Sequence, residues 1–244
     1  MITIRRVDML GTIHEAGVDL RCHFAFGSFQ DAAYVHDGRL RVVNAMRIAS
    51  GAQFRLGAEQ NVDIVTWLAE GALSATSELF PSETIMAGGL HAISAASGCQ
   101  SFGWRAGPVG ASCLQFWFLA DNEGGEPAQE TRLDFPAAED GSFRIIASGF
   151  PEDDPEGTEA VIDGAPVTLR SRSRLLRATL RAGEGALYRT APSRTLYMIV
   201  AKGGASLGGE LLAAGDAARI DGQKEAVVIA TQDAVILLAD TASR

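Results

Sequence analysis

The side chains able to hold a metal or move a proton are thinly spread along this sequence. Glu59 and Asp63 lie in the stretch Gly51–Gly71, GAQFRLGAEQNVDIVTWLAEG, and His91 follows in a later strand-like run. Two carboxylates and an imidazole are donors that divalent metals accept, so these three could share a metal. The plainer reading of a lone strand histidine is a hydrogen-bonded structural group, and His23 is open to the same two readings. Cys22, Cys99 and Cys113 have no C-x-x-C spacing and no neighbouring histidine, so they read as small buried hydrophobes rather than redox centres. No G-x-S-x-G elbow is present, and Gly88-Gly89, Gly203-Gly204 and Gly208-Gly209 fit no phosphate loop.

The elements that must position these groups are strands. Ile64-Val65-Thr66-Trp67-Leu68 and Leu114-Gln115-Phe116-Trp117-Phe118-Leu119 are β-branched and aromatic. Shorter strands are predicted at His23–Phe26, Leu40–Asn44, Glu83–Met86 and His91–Ala95. The stretch Gly51–Gly71 reads as a turn, a polar strand and a long half-buried strand ending at a Glu70-Gly71 turn. Asp121 to Pro136 reads as a linker, after which strands resume at 142–147, 160–162, 166–169, 175–180, 195–200, 217–220, 226–229 and 234–238. Gly-rich turns at intervals of about ten residues predict a sandwich or barrel. The two halves rhyme: Thr66–Gly71 matches Met198–Gly203, and Ile85–Gly89 matches Leu211–Asp216, as two copies of one barrel unit would.

Composition narrows the function classes. The chain has 244 residues, 47% hydrophobic and 21% charged, enough to bury a full core. A net charge of -9 argues against binding nucleic acid or anionic membranes. No signal peptide or apolar run long enough for a spanning helix is read. Unpaired cysteines fit a cytoplasmic setting. Arg170, Arg172 and Arg174 alternate downstream of an acidic loop, Glu152-Asp153-Asp154-Pro155-Glu156, continued by Glu159 and Asp163. On a strand these arginines would share one face, read as intramolecular charge pairing on an exposed edge or as a docking surface for an anionic partner.

With these residues in view the chain resembles a pirin-family bicupin of the cupin superfamily. Gly51, Asp63 and Gly71 fall at the spacing of the first cupin motif, G-x5-H-x-H-x3-E-x6/7-G, with Asp63 in place of the glutamate. His23-Phe24-Ala25-Phe26 resembles the family's early H-x-F-S-F segment, Leu40-Arg41-Val42-Val43-Asn44 its L-R-V-I-N, and Val62–Gly71 its M-E-I-x-T-Y-V-L-E-G. Ala87-Gly88 through Gly98 to Ser101-Phe102-Gly103 is similar to the second motif, and Cys113–Trp117 to L-x-x-x-Q-x-W. The resemblance is strongest over residues 20–120.

The resemblance implies two antiparallel β-barrels face to face, with iron or another divalent metal held in the first by three histidines and a glutamate. Some bacterial members open quercetin with dioxygen; others act through protein partners. The ligand positions fall here on Gly57, Glu59, Ser101 and Gly103, so no family histidine is retained. One carboxylate does not hold a catalytic transition metal.

The expectation is an all-β bicupin of two antiparallel cupin (double-stranded β-helix, jelly-roll) barrels, residues 1–136 and 137–244, with no metal and no cofactor. Its expected role is to bind a small organic ligand in the N-terminal barrel or a protein partner. Two alternatives stand beside it: a quercetin 2,3-dioxygenase-like oxygenase whose metal site is rebuilt from Glu59, Asp63 or His91, and an interaction protein with no ligand. The candidate ligand-binding residues are Gly57, Glu59, Ser101, Gly103, His91 and His23. They are expected to converge on a small, polar, hydrated cavity in the first barrel, because replacing histidines by glycine and serine leaves volume to be filled.

Overall fold

The computed structural model describes residues 1–133, 135, 141–153 and 165–242. Among these the chain is almost entirely strand, and its only helical turns are two 3-10 turns, Val7–Met9 and Pro151–Asp153. The first half contributes β1 (Ile2–Arg5), β2 (Gly11–Glu15), β3 (Val18–Cys22), β4 (Leu40–Ile48), β5 (Gln53–Leu56), β6 (Val62–Ser77), β7 (Glu83–Met86), β8 (Leu90–Ser94), β9 (Phe102–Leu119) and β10 (Ala128–Arg132). The second contributes β11 (Arg144–Ser148), β12 (Val167–Thr168), β13 (Arg174–Leu180), β14 (Gly185–Arg189), β15 (Arg194–Lys202), β16 (Gly204–Leu207), β17 (Glu210–Ala213), β18 (Ala217–Asp221), β19 (Glu225–Ala230) and β20 (Ala234–Ala242). All pair antiparallel except the short β11–β12 contact. This is the expected all-β bicupin.

The first barrel is one sheet in the order β10-β8-β6-β9-β4-β3-β2, with β5 on β9 and β7 on β6. The second is a sheet β1-β18-β15-β20-β13-β11-β12 and a four-stranded sheet β14-β19-β16-β17. Strand pairing does not follow a cut at residue 136 throughout. β1 pairs with β18, Ile2 opposite Ile220, so the first strand of the chain belongs to the second barrel.

Period-two alternation explains three cores. On β6, Ile64 and Leu68 point into the first barrel, while Val65 and Trp67 point out towards the second. On β15, Met198 and Val200 fill the second barrel, and Tyr197 and Ile199 meet the first. Both faces of these strands are buried, which is why their sequences are continuously apolar.

The rhyme between the halves is a shared geometry. The pairing of β6 with β9 slips between Leu68 and Glu70, and that of β15 with β20 slips between Val200 and Lys202. Ala69 and Ala201 are the extra residues of these two bulges. Gly71 and Gly203 follow at φ +82 and +77, where a Cβ would lie 2.1 Å from the Gly110 carbonyl oxygen and 2.0 Å from that of Asp233. The Gly88 N–H donates to the Leu68 carbonyl and the Gly215 N–H to the Val200 carbonyl, both at 2.8 Å.

Four local predictions are corrected. His23–Phe26 is not a strand: β3 ends at Cys22 and the chain bends there. Glu70-Gly71 is not a turn but part of the bulge, and β6 runs on to Ser77. The linker read over 121–136 contains β10, which pairs with β8 along five residues and supplies the first sheet's edge. Arg170 and Arg172 lie in an irregular segment before β13, so with Arg174 they do not form one strand face. Arg174 pairs with Asp153 at 2.5 Å and Glu152 at 3.5 Å, the intramolecular pairing expected. The strand read at 160–162 and the acidic residues Asp154, Glu156, Glu159 and Asp163 lie outside the described residues.

Candidate functional site

The four family ligand positions do come together. Leu56 pairs with Phe102 and Arg55 with Gly103, while Glu59 bridges Cys99 by two 3.0 Å backbone hydrogen bonds. This brings Gly57 beside Ser101 on neighbouring chain segments. Their side-chain positions, however, face away from the barrel interior. Gly57 and Ser101 are exposed, and Glu59 is half-buried. A Cβ on Gly103 would lie 2.3 Å from Gln53 Nε2 and 2.7 Å from Thr76 Oγ1, a space already filled. Phe102 and Trp104, which alternate with Ser101 and Gly103, are the residues that point inward.

The interior is packed by aromatic rings. Trp104 stacks on Phe54 at 6.0 Å and on Phe102 at 6.3 Å, and Phe26 meets Trp117 edge-on at 5.6 Å. The polar, hydrated cavity expected around Glu59, Ser101 and His91 is therefore corrected. Ser101 and Glu59 sit on the wall, and His91 lies inside against Trp104, ring centroids 6.5 Å apart. Close-packed aromatic area outweighs hydration of a few polar groups at this site.

His91 belongs to a polar belt across the barrel wall. Asn44 faces Gln115, Gln115 faces Thr66 and Thr66 faces His91 on successive strands, all buried. Gln115 Nε2 donates to Thr66 Oγ1 at 3.2 Å, and Trp117 Nε1 donates to Gln115 Oε1 at 2.8 Å. Burial pushes the His91 imidazole below its usual range, opposed by the Gln129 amide beside it.

Asp63 points the opposite way, into the contact between barrels, where its Oδ2 accepts the Arg170 N–H at 2.6 Å. Burial raises its carboxyl pKa against that hydrogen bond. Asp63 and His91 thus lie on opposite faces of one sheet and cannot ligate one ion. His23 also sits between the barrels: its Nδ1 shares a 3.0 Å hydrogen bond with the Tyr197 hydroxyl, and Arg5 donates to its backbone carbonyl. Burial, aided by the Arg5 charge, pushes its pKa down to about 3. This is the structural reading of His23. Burial likewise pushes the Cys22 thiol up to about 11 and Cys113 to about 12, leaving both protonated and unreactive.

The donor set does not fit the metal that the resemblance implies. Two of the four positions are glycines, a third is an exposed serine, and burial raises the Glu59 carboxyl pKa against the counter-charge of Arg41. Among the described residues no group of three or more His, Cys, Asp or Glu side chains could hold an ion.

A curated pirin-like protein from Caulobacter vibrioides is 30% identical over 243 residues, covering 99% of this chain and all of that one. The chain belongs to the pirin family. A family model described as the quercetinase C-terminal cupin domain matches residues 162–241. A protein of Pseudomonas aeruginosa named putative quercetin 2,3-dioxygenase is 29% identical, over 99% of this chain and all of that one. The crystal structure of the bacterial pirin YhhW from Escherichia coli, in complex with nickel(II), superimposes with a TM-score of 0.87 at 22% identity, covering 100% of both chains. At that identity the last comparison concerns the bicupin fold. No helix among the described residues is long and apolar enough to cross a membrane.

Sequence reasoning missed one feature of this pirin-family chain. A groove of about 1210 Å³ runs between the barrels, and a second space of about 420 Å³ shares Asp19, Arg47, Trp67, Ala69, Ser112 and Ala201 with it. The available signal was the run Val62–Leu68, too apolar for a strand with one wet face.

Proposed function

We propose that this chain is a pirin-family bicupin without oxygenase chemistry, which acts by binding a small molecule or a protein. The observation that carries this reading is the inward turn of Phe102 and Trp104, with glycine or exposed serine at three of the four positions where the family places its ligands. A packed aromatic interior in which His91 is the single imidazole leaves no open coordination positions for dioxygen and substrate.

The names of several relatives support the competing oxygenase reading. One assay separates the two. The purified chain is given quercetin under air with added iron, nickel or copper in turn, alongside elemental analysis of the untreated protein. The expected result is no ring opening above the metal-only control and no stoichiometric transition metal. Turnover above that control, abolished by Glu59→Ala, restores the oxygenase.

A further inference from the structure

We infer that the outer face of the four-stranded sheet β14-β19-β16-β17 is a self-association surface, on which a second copy of this chain docks through a two-fold contact. This goes beyond the binding reading and stands apart from it, since the contact needs no ligand.

The internal repeat supplies the comparison. Gly71 and Gly203 are equivalent, so Ser74 on β6 corresponds to Ser206 on β16. Ser74 faces Arg105 and Thr84 on its neighbours, and Ser206 faces Ile229 and Leu211. On the flanking strands β5 and β14, Arg55 faces Gly103 and Leu187 faces Val227. The first barrel thus presents Arg55, Arg105 and Thr84 to solvent where the second presents Leu187, Ile229 and Leu211, so the barrel itself does not require aliphatic side chains there. These three and Val227 are 42% to 65% exposed. β19 carries a continuous apolar run, Ala226-Val227-Val228-Ile229-Ala230, of the kind found in β6 and β15. In β6 and β15 both faces are buried, whereas in β19 only Ala226, Val228 and Ala230 are. An antiparallel strand with one wet face is expected to alternate apolar with polar.

Self-complementarity selects a second copy as the occupant. On β14 and β19, Leu187 lies directly opposite Val227, Gly185 opposite Ile229 and Arg189 opposite Glu225. Arg189 and Glu225 are exposed, and among the described residues neither makes an ion pair. A two-fold axis running along the strands, midway between β14 and β19, lays β14 of one copy over β19 of the other. Leu187 then meets Val227 of the second copy, Ile229 fills the space over Gly185, and Arg189 meets Glu225, each contact being made twice. Aligned sheets pack in this way about 10 Å apart, with their apolar side chains interdigitating. The sheet face measures only about 300 Å², from four strands about 4.8 Å apart and about five residues of about 3.3 Å each. A standard interface buries about 800 Å² on each partner, so this dimer is a weak and reversible one.

The test is sedimentation velocity of the full chain from about 5 µM to about 1 mM, the span over which a weak contact of this size populates. The expected result is a dimer fraction that rises with concentration. Val227→Glu puts a charge into the centre of the contact and weakens association by at least about tenfold. Arg189→Glu sets carboxylates against each other across the axis, Glu225→Arg sets guanidinium groups against each other, and each weakens association by about tenfold. An equimolar mixture of these two variants restores association, because opposite charges then face each other at both positions of the mixed dimer. Arg55→Glu, on the equivalent face of the first barrel, leaves association unchanged. Recovery in the mixture also shows that both charge variants are folded. Val227→Glu is checked by its urea midpoint, with Val227→Lys as the substitute if that midpoint falls. A parent that stays monomeric over the whole range overturns the inference and leaves the face to a different partner. A dimer unaffected by Val227→Glu overturns the face, and charge variants that associate no better mixed than apart overturn the two-fold pairing. None of these outcomes bears on the metal-free reading, which quercetin turnover tests.

Discussion

His23 makes the stability of the contact between barrels sensitive to acid. Its imidazole is wholly buried, hydrogen-bonded to Tyr197, close to the Arg5 guanidinium, and held neutral with a pKa of about 3 against 6.5 in the unfolded chain. A histidine depressed in the folded state contributes stability above pH 6.5 that is lost as pH falls, because only the unfolded chain takes up the proton. Integrated over one site, about 2 kcal/mol disappears between pH 7 and pH 5. Other groups titrate in the same range: burial depresses His91 in the same sense, and raises Asp37 to about 6 in the opposite sense. The measurement is therefore a difference. Urea unfolding of the parent and of His23→Gln is followed at pH 7, 6 and 5. The variant loses packing and the Tyr197 hydrogen bond at every pH, but its disadvantage shrinks by about 2 kcal/mol on going to pH 5. A disadvantage that stays constant with pH would show that His23 is not held neutral, and the argument from burial would be wrong.

The bulge glycines give a second measurement. Gly71→Ala and Gly203→Ala each cost more than about 2 kcal/mol, from positive φ and collision with the opposite strand, while Gly51→Ala, at φ +68 with nothing within 4 Å, costs about 1 kcal/mol. Thermal and urea unfolding would show the reasoning wrong if all three cost the same. Removing the ring that stacks on Trp104, by Phe54→Ala, costs about 3–5 kcal/mol, and a smaller loss would mean that the first barrel is loosely packed. Asp37 is buried, with a pKa raised by burial to about 6 despite the Arg219 ion pair at 3.2 Å. A raised carboxyl destabilises the fold once ionised, so Asp37→Asn is neutral or stabilising at pH 8, by at most about 3 kcal/mol, and the gain fades as pH falls from 6 to 4. Loss of stability at pH 8 would show that the ion pair outweighs burial.

The fold was legible because its signals are local and repeated. Period-two apolar runs, turn glycines and the matching pair Thr66–Gly71 and Met198–Gly203 each agree with the same barrel unit, and the structure places both glycines in equivalent bulges. The two motif resemblances put Gly57, Glu59, Ser101 and Gly103 on segments that the fold brings side by side. What the spacing did not convey was facing. A strand offers its residues to two sides, and the choice between Ser101/Gly103 and Phe102/Trp104 is made by which set buries more apolar area. β10 was lost inside a polar stretch, because an edge strand such as Ala-Gln-Glu-Thr-Arg needs no apolar alternation to pair. Trp67 was read only as strand composition, since its place in the core between the barrels is set by tertiary packing.

The placement of β1 has a consequence for how the chain is made. Ile2 finds its partner at Ile220, and the Met1 amino group donates to the Asp221 carbonyl, so β1 must wait for a strand more than 200 residues further along the chain. Until then β18 has an open edge on one side, and the opening strand is free to pair elsewhere. A second barrel expressed by itself from residue 137 would carry that open edge permanently. Supplying residues 1–9 in trans as a peptide is then a route to closing it, and β1 becomes the strand through which that edge can be covered or bared.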